Sequence, residues 1–406
     1  MNGFVFSRRQ ALHALNASCL TGLTAAWASR ASAQPTATKQ ANASANTNVD
    51  CSNAWPAWAT FRQQFVAEDG RVVDPETQRA QTVSEAQAYG LFFALVANDR
   101  PSFEKILKWT ENNMAGGDLT ARLPAWIWGR RDDGQWGIVD PNPASDADLW
   151  IIYALAEGGR LWGDKRLGAL ATVMADRLLR DTTANIPGLG LTLLPGPKGF
   201  QTGGDTWRLN PSYLPLHQMR WFAKHMPNPA WEKVLASSRK LVLGSAPRGF
   251  APDWIVYRTN KGFEIDATGE GYGQGAYNAI RVYLWAGLMA SGDANAKPLL
   301  NALAPMAKFV SVQGFPPEAV DIQTGTGLKP GPSGFSAALL PFLQARGDKA
   351  AFDAQQTRIA AKPIRPKAYY EQALSLFAFG KIDGFYRFGA DGSLVTKWTV
   401  PCQKLA

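Results

Sequence analysis

With 406 residues the chain is large for a single domain, but no linker interrupts it after residue 51, and large barrels reach this size as one unit. The formal net charge is +9, yet lysines and arginines are scattered rather than clustered; this gives a diffuse basic surface and argues against a nucleic-acid track. Beyond the N-terminus no segment is apolar and long enough to cross a membrane, so the mature chain is expected to be soluble.

Residues 1–33 read as an export signal of the twin-arginine type. Arg8 and Arg9 precede a short apolar stretch, and Ala31, Ser32 and Ala33 supply a small-residue cleavage site. Asn16 and Arg30 interrupt the apolar stretch, which argues against an anchoring helix, and Asn16 also weakens a lipid anchor at Cys19. Cleavage would remove Arg8, Arg9 and Arg30 and no acid, taking the net charge from +9 to +6. Residues 34–50 read as a flexible tether, and 51–406 as one domain. Cys51 and Cys402 stand at the two ends of that domain. In an oxidising compartment this placement suggests a disulfide fastening the termini, typically worth about 2–4 kcal/mol; two buried thiols are the other reading.

Along the domain two kinds of helix alternate. One is apolar nearly all round: in 84–98, Tyr89, Phe92, Phe93 and Val96 make one face while Leu91 and Leu95 fill another. Segments 146–158, 213–226, 276–288, 333–345 and 368–380 are similar. The other kind carries a single stripe, as in 101–114 (Phe103, Ile106, Leu107) and 163–180 (Leu167, Leu170, Ala171, Met174, Leu178). Segments 53–67, 229–244, 295–309 and 348–359 follow this second pattern, the last two less clearly. All-round apolar helices are buried and striped ones lie outside. About six alternations therefore predict an inner ring of helices wrapped by an outer ring, an all-α (α/α)6 barrel, with an irregular helical bundle as the competing architecture. "PGLGLTLLPGPKGFQTGGD" reads as a loop over one mouth, while "DWIVYRTNKGFEI" and "FYRFGADGSLVTKW" carry hairpin signals and add minor β structure.

In a double ring the inner helices aim one end at a common mouth, so residues at their starts converge. Three starts hold suggestive residues. Glu85 follows the potential N-cap Ser84; the macrodipole favours an acid there in any case, and acid catalysis requires burial to offset that stabilisation of the charged form. "PASDADLWIIYAL" opens the next inner helix with Ser145, Asp146 and Asp148, two acids where one cap would suffice, and Trp150 on the same turn could support a ring-shaped ligand. "GEGYGQGAYNAIRVYLW" brings Tyr277, Asn278 and Arg281; the last two share a helix face, and a guanidinium on an apolar helix needs a polar partner, structural or functional. Between these starts lie Trp126, Trp128, Trp136, Trp207, Tyr213 and Trp254. Most tryptophans are expected in the core, but a cleft lined with some of them, plus carboxylates, suits a neutral polysaccharide.

Other chemistries find little support. Once the signal is removed only His217 and His225 remain, with no metal-ligand spacing, so no metal and no cofactor are expected. There is no G-x-S-x-G elbow and no phosphate-binding loop, and the "GYGQGAYNA" glycines follow no strand.

"TVSEAQAYG", "ASDADLW" and "YNAIRVYLW", in that order, resemble three motifs of glycoside hydrolase family 8. "WPAWATFRQQFVAEDGRVVDPE", "NPSYLP" and "GFSAALLPFLQ" are similar to its branch from bacterial cellulose-synthesis operons, and the resemblance runs from Cys51 to Cys402. It implies an exported, periplasmic or secreted endo-β-1,4-glucanase with an (α/α)6 barrel, cutting β-1,4-glucan with inversion; the cellulose chain and the cellulose synthase complex are the partners it suggests. It also implies that Glu85 is the general acid and that Asp146 is the signature acid, which contacts sugar at the scissile site and has also been labelled a nucleophile. The general base is normally an aspartate in Y-D-A-x-R; here Asn278 occupies that position, and Ala86 stands where glycine is usual. An amide has no useful basicity, and a general base typically supplies about 10²–10⁴-fold in rate. Asp146, Glu264, Asp266 and Glu270 are the candidates to replace it, with Tyr277, Asn278 and Arg281 holding the water. A glucan-binding homologue of low turnover is the alternative.

Overall fold

A computed structural model describes residues 53–77, 80–268 and 272–401. The signal, the tether, Cys51, Cys402 and Glu270 lie outside the described residues.

Among the described residues thirteen α-helices follow in chain order: α1 Pro56–Phe65, α2 Ser84–Val96, α3 Arg100–Met114, α4 Ser145–Trp162, α5 Lys165–Thr182, α6 Leu216–His225, α7 Ala230–Gly244, α8 Ala279–Leu288, α9 Ala296–Ala302, α10 Ala304–Gln313, α11 Ser333–Arg346, α12 Lys349–Ala361 and α13 Tyr369–Ile382. They form the expected (α/α)6 barrel. The inner ring runs α2, α4, α6, α8, α11, α13, and the side chains explain the division. Every residue of α2 except Glu85 is buried, as are all residues of α8. On outer α12 only Ala351 and Gln355 are buried. The expected outer helix 295–309 is two helices, because Pro305 lacks the N–H a continuous helix would need and instead sits in the first turn of α10.

Aromatic side chains seal the middle of the ring. Trp150 of α4 packs against Phe377 of α13 at 5.0 Å and Trp285 of α8 at 5.2 Å, while Phe92 of α2 stacks on Phe377 at 5.3 Å and closes the ring. Backbones come close where a small residue allows it: a Cβ on Gly287 of α8 would lie 2.2 Å from the Phe342 nitrogen of α11. The centre is filled, and α2, α4, α8 and α13 begin together at one mouth.

Short strands connect the helices. Val83 pairs with Ile127 in a three-stranded sheet that also contains Trp136–Asp140. Both expected hairpins form, Ile255–Arg258 with Gly262–Ile265 and Tyr386–Phe388 with Leu394–Thr396. The stretch expected as loop is partly strand: Gly190–Leu193 pairs back on Thr183–Ile186, and Gln201–Gly203 joins the four-stranded sheet. Gly188 and Gly190, with φ of +89° and +98°, supply left-handed residues at the hairpin turn that a reading as open loop overlooks. Among the described residues no helix is long and apolar enough to cross a membrane.

Candidate active site

A cleft at the mouth brings together Glu85, Trp126, Tyr213, Tyr277, Asn278 and Arg281 from the expected residues. Glu85 is half-buried at the head of α2. Ser84 is not the cap: it is the first helical residue, and Val83 holds the cap position without a side-chain bond. Strand pairing fixes this end instead, with the Ser84 N–H donating to the Trp126 carbonyl at 2.8 Å. The same short sheet therefore places the acid and sets Trp126 beside it.

Arg281 organises the floor. Its Nη1 donates to the Tyr89 hydroxyl at 3.0 Å and to Asp146 Oδ2 at 2.9 Å. Its Nη2 donates to Ser212 Oγ at 3.1 Å and to Asn278 Oδ1 at 2.7 Å. Burial opposes the charge, but Tyr89 and Asp146 outweigh it and hold the guanidinium above its ordinary value. Burial also pushes the Tyr89 hydroxyl up to about 12, so it stays a neutral acceptor and donor. "NPSYLP" explains Ser212 and Tyr213: Asn210 Oδ1 accepts from the Ser212 N–H at 3.0 Å and starts a tight 3-10 turn, Pro211–Tyr213, that turns Ser212 to Arg281 and Tyr213 to the cleft.

Asp146 is 2% exposed and meets the cleft through Arg281 rather than lining it. Among the described residues its Oδ1 has no protein partner, leaving one oxygen uncommitted. Asp148, one step deeper, has no protein partner for either oxygen. Burial first, then the charges of Asp146 and Glu85, raise it well above its ordinary value and favour the neutral acid.

Arg281 has only donors to offer, so Asn278 must turn its amide oxygen toward the guanidinium and keep its NH2 for the cleft. That polarity is opposite to a base. Asp253 fastens this helix head: its Oδ1 accepts from the backbone N–H groups of Ala276 (2.7 Å), Asn278 (3.0 Å) and Ala279 (2.8 Å). The Tyr277 hydroxyl donates to Glu318 Oε1 at 2.9 Å.

The other expected residues are placed elsewhere. Trp150 is 1% exposed in the barrel centre, and Trp207 is buried in the strand Thr206–Leu209. Trp128 stacks on Trp136 at 5.4 Å beneath Arg71, away from the cleft lining. Glu264 is tied to Arg258 at 3.0 Å, which holds it below the carboxylate range, and Asp266 is tied to Arg208 at 2.5 Å. Neither lines the cleft. Conversely, Asp74, Gln81, Tyr369 and Tyr370 line it without having been singled out. The last two open α13, so the rule applied to the other inner-helix starts would have found them. Asp74, raised by burial, lies between α1 and α2, away from any inner-helix start, and had no such marker. Among the described residues no group of His, Cys, Asp and Glu could hold a metal ion.

A half-buried acid, a buried arginine–aspartate pair and aromatic walls over a sealed double ring suit binding and cleavage of a sugar chain. The glycosyl hydrolases family 8 model matches residues 32–383. An endoglucanase of Escherichia coli (strain K12) is 41% identical over 355 residues, covering 87% of this chain and 94% of that one. One of Xanthomonas axonopodis pv. citri (strain 306) is 43% identical over 351 residues, covering 86% and 90%. The solved endo-1,4-D-glucanase from Vibrio fischeri ES114 is 41% identical and superposes with a TM-score of 0.78, covering 85% of this chain and all of that one. A β-1,3-1,4-glucanase from Paenibacillus sp. X4, only 17% identical, shares the fold at a TM-score of 0.67. The double-ring architecture, the three helix-start motifs and these matches have one common explanation: the chain belongs to glycosyl hydrolase family 8.

Proposed function

We propose that the protein is an endo-β-1,4-glucanase that cleaves cellulose-type chains with inversion, exported through its twin-arginine signal to trim glucan during cellulose synthesis. The observation that carries this reading is Glu85, the one unburied position of α2, opening into the same cleft as Arg281, Tyr277 and Asn278. In this role Glu85 protonates the leaving glycosidic oxygen. Asp146, fixed by Arg281, uses its remaining oxygen on a sugar hydroxyl, and Trp126 and Tyr213 carry the apolar faces of the rings. The E. coli and X. axonopodis relatives are named endoglucanases and the V. fischeri structure an endo-1,4-D-glucanase, which supports the endoglucanase reading.

Asn278 favours a second reading, a glucan-binding homologue with little turnover. Reducing-end release from carboxymethyl cellulose by wild type, Glu85→Gln and Asn278→Asp separates the two. Wild-type activity abolished by Glu85→Gln supports the hydrolase. A silent wild type revived by Asn278→Asp supports the binder, and three silent proteins that still bind cello-oligosaccharide would remove Glu85 from the acid role.

A further inference from the structure

We propose that Glu318, acting through the Tyr277 hydroxyl, takes the proton of the attacking water in place of the carboxylate absent at position 278. The proposal rests on the hydrolase reading above and names its base.

Tyr277 adjoins Asn278 in sequence and lines the same cleft. Its ring packs edge-on against Phe335 at 5.0 Å, and its backbone carbonyl accepts from the Tyr370 hydroxyl, so ring and backbone are both fixed. The phenol oxygen donates to Glu318 Oε1 at 2.9 Å. In that bond the phenol is the donor, and a phenol oxygen can also accept a proton, which an amide NH2 cannot. Glu318 is half-buried in a loop tied down by backbone bonds, Glu318 N–H to the Lys329 carbonyl at 2.6 Å and Gly331 N–H to the Pro316 carbonyl at 2.7 Å. Among the described ion pairs none involves Glu318. The nearby alternatives do not line the cleft: Asp146 lies behind Arg281, ion-paired to it through one oxygen, and Asp253 accepts from three backbone N–H groups through one oxygen. Asp74 stands on the segment leading into Glu85, the wall of the acid, whereas inversion needs the base on the opposite face of the sugar.

The step balances. The water oxygen bonds to C1 as the bond from C1 to the glycosidic oxygen breaks, and that oxygen takes its proton from Glu85. The water proton passes to the Tyr277 oxygen while the phenol proton moves to Glu318. Glu318 ends protonated and Glu85 ionised, and solvent exchange resets both.

The test measures kcat, KM and pH profiles on cello-oligosaccharides for wild type, Glu318→Gln, Glu318→Asp, Tyr277→Phe and Glu85→Gln, with and without sodium azide. Azide is an anionic nucleophile that needs no base. Glu318→Gln and Tyr277→Phe should lower kcat by about 10²-fold or more with KM little changed, and flatten the acid limb of kcat/KM. Glu318→Asp should keep part of the rate, and azide should restore turnover of Glu318→Gln with an α-glycosyl azide as product. Glu318→Gln with kcat within threefold of wild type, or with only KM raised, would overturn the proposal while an inactive Glu85→Gln leaves the hydrolase reading standing. If wild type and Glu85→Gln are equally silent, the hydrolase reading itself fails and this proposal with it.

Discussion

The two walls of the cleft are built alike and carry different chemistry. On one, α2 is buried along its whole length except at Glu85. On the other, α8 is buried throughout and preceded by Asn278, locked by Asp253 on its backbone and Arg281 on its side chain. One wall offers a carboxylate, the other an amide of nearly the same size and shape. The lesson is that the scaffold holding a catalytic position and the proton chemistry performed there are separable. Arg281 accepts an amide oxygen as a partner as it would a carboxylate, so packing alone does not enforce a base.

The largest test of this contrast is on the acid wall. Glu85→Gln should lower kcat by about 10²–10⁴-fold in a reducing-end assay with KM within a few fold, the loss expected for removal of a general acid. An unchanged rate would shift the acid to Asp74 and dissolve the comparison. Next comes the floor shared by both walls. Arg281→Met strips a buried carboxylate of its ion-pair partner and should cost about 3–5 kcal/mol in urea unfolding. A loss under about 1 kcal/mol, the level of a surface pair, would mean that Asp146 does not depend on Arg281 for its charge.

Asn278→Asp makes the walls equivalent. It should raise kcat by about 10- to 100-fold, toward what a direct base supplies, and make the rate insensitive to Glu318→Gln. Persistent sensitivity to Glu318 in that background would show the two positions acting independently.

Beneath the cleft the expected effects fall on stability and leave the chemistry of the two walls alone. His217 is buried against Phe388 at 4.2 Å with no protein partner on either ring nitrogen among the described residues, and burial lowers it to about 3. The folded value lies below the unfolded one, so the unfolded chain takes the proton first as pH falls. The stability that neutral His217 contributes is complete above about pH 6.5 and is lost on acidification, at up to about 1.4 kcal/mol per pH unit. His217→Phe should remove that slope in urea unfolding followed from pH 7 to 4. Asp148 has the opposite sign: its raised folded value means the unfolded chain releases the proton first, so wild type loses stability relative to Asp148→Asn as pH rises above about 4.

Much of this was legible in the residues. The inner ring could be read because helices such as α8 are apolar on every side, a pattern no surface helix can sustain. Glu85 and Arg281 stood out because each is a charge on such a helix. The tryptophans misled for the same physical reason. Trp126 lines the cleft while Trp150 fills the barrel centre, and an indole serves both roles with the same side chain. Their sequence neighbourhoods do not separate them, since the choice depends on which way one turn of helix or strand faces.

The sequence by itself determined the alternation of buried and striped helices, the helix starts that hold charge, and the substitution of an amide at 278, because each depends on the local order of side chains. Only the tertiary structure decided that Arg281 binds Asp146 from 135 residues away, that Asp253 fastens the head of α8, and that Glu318 meets Tyr277 across 41 residues. Those pairings arise from ring closure, which sets distant helix ends and loops side by side, and no periodicity along the chain encodes which partners a closed ring will bring together.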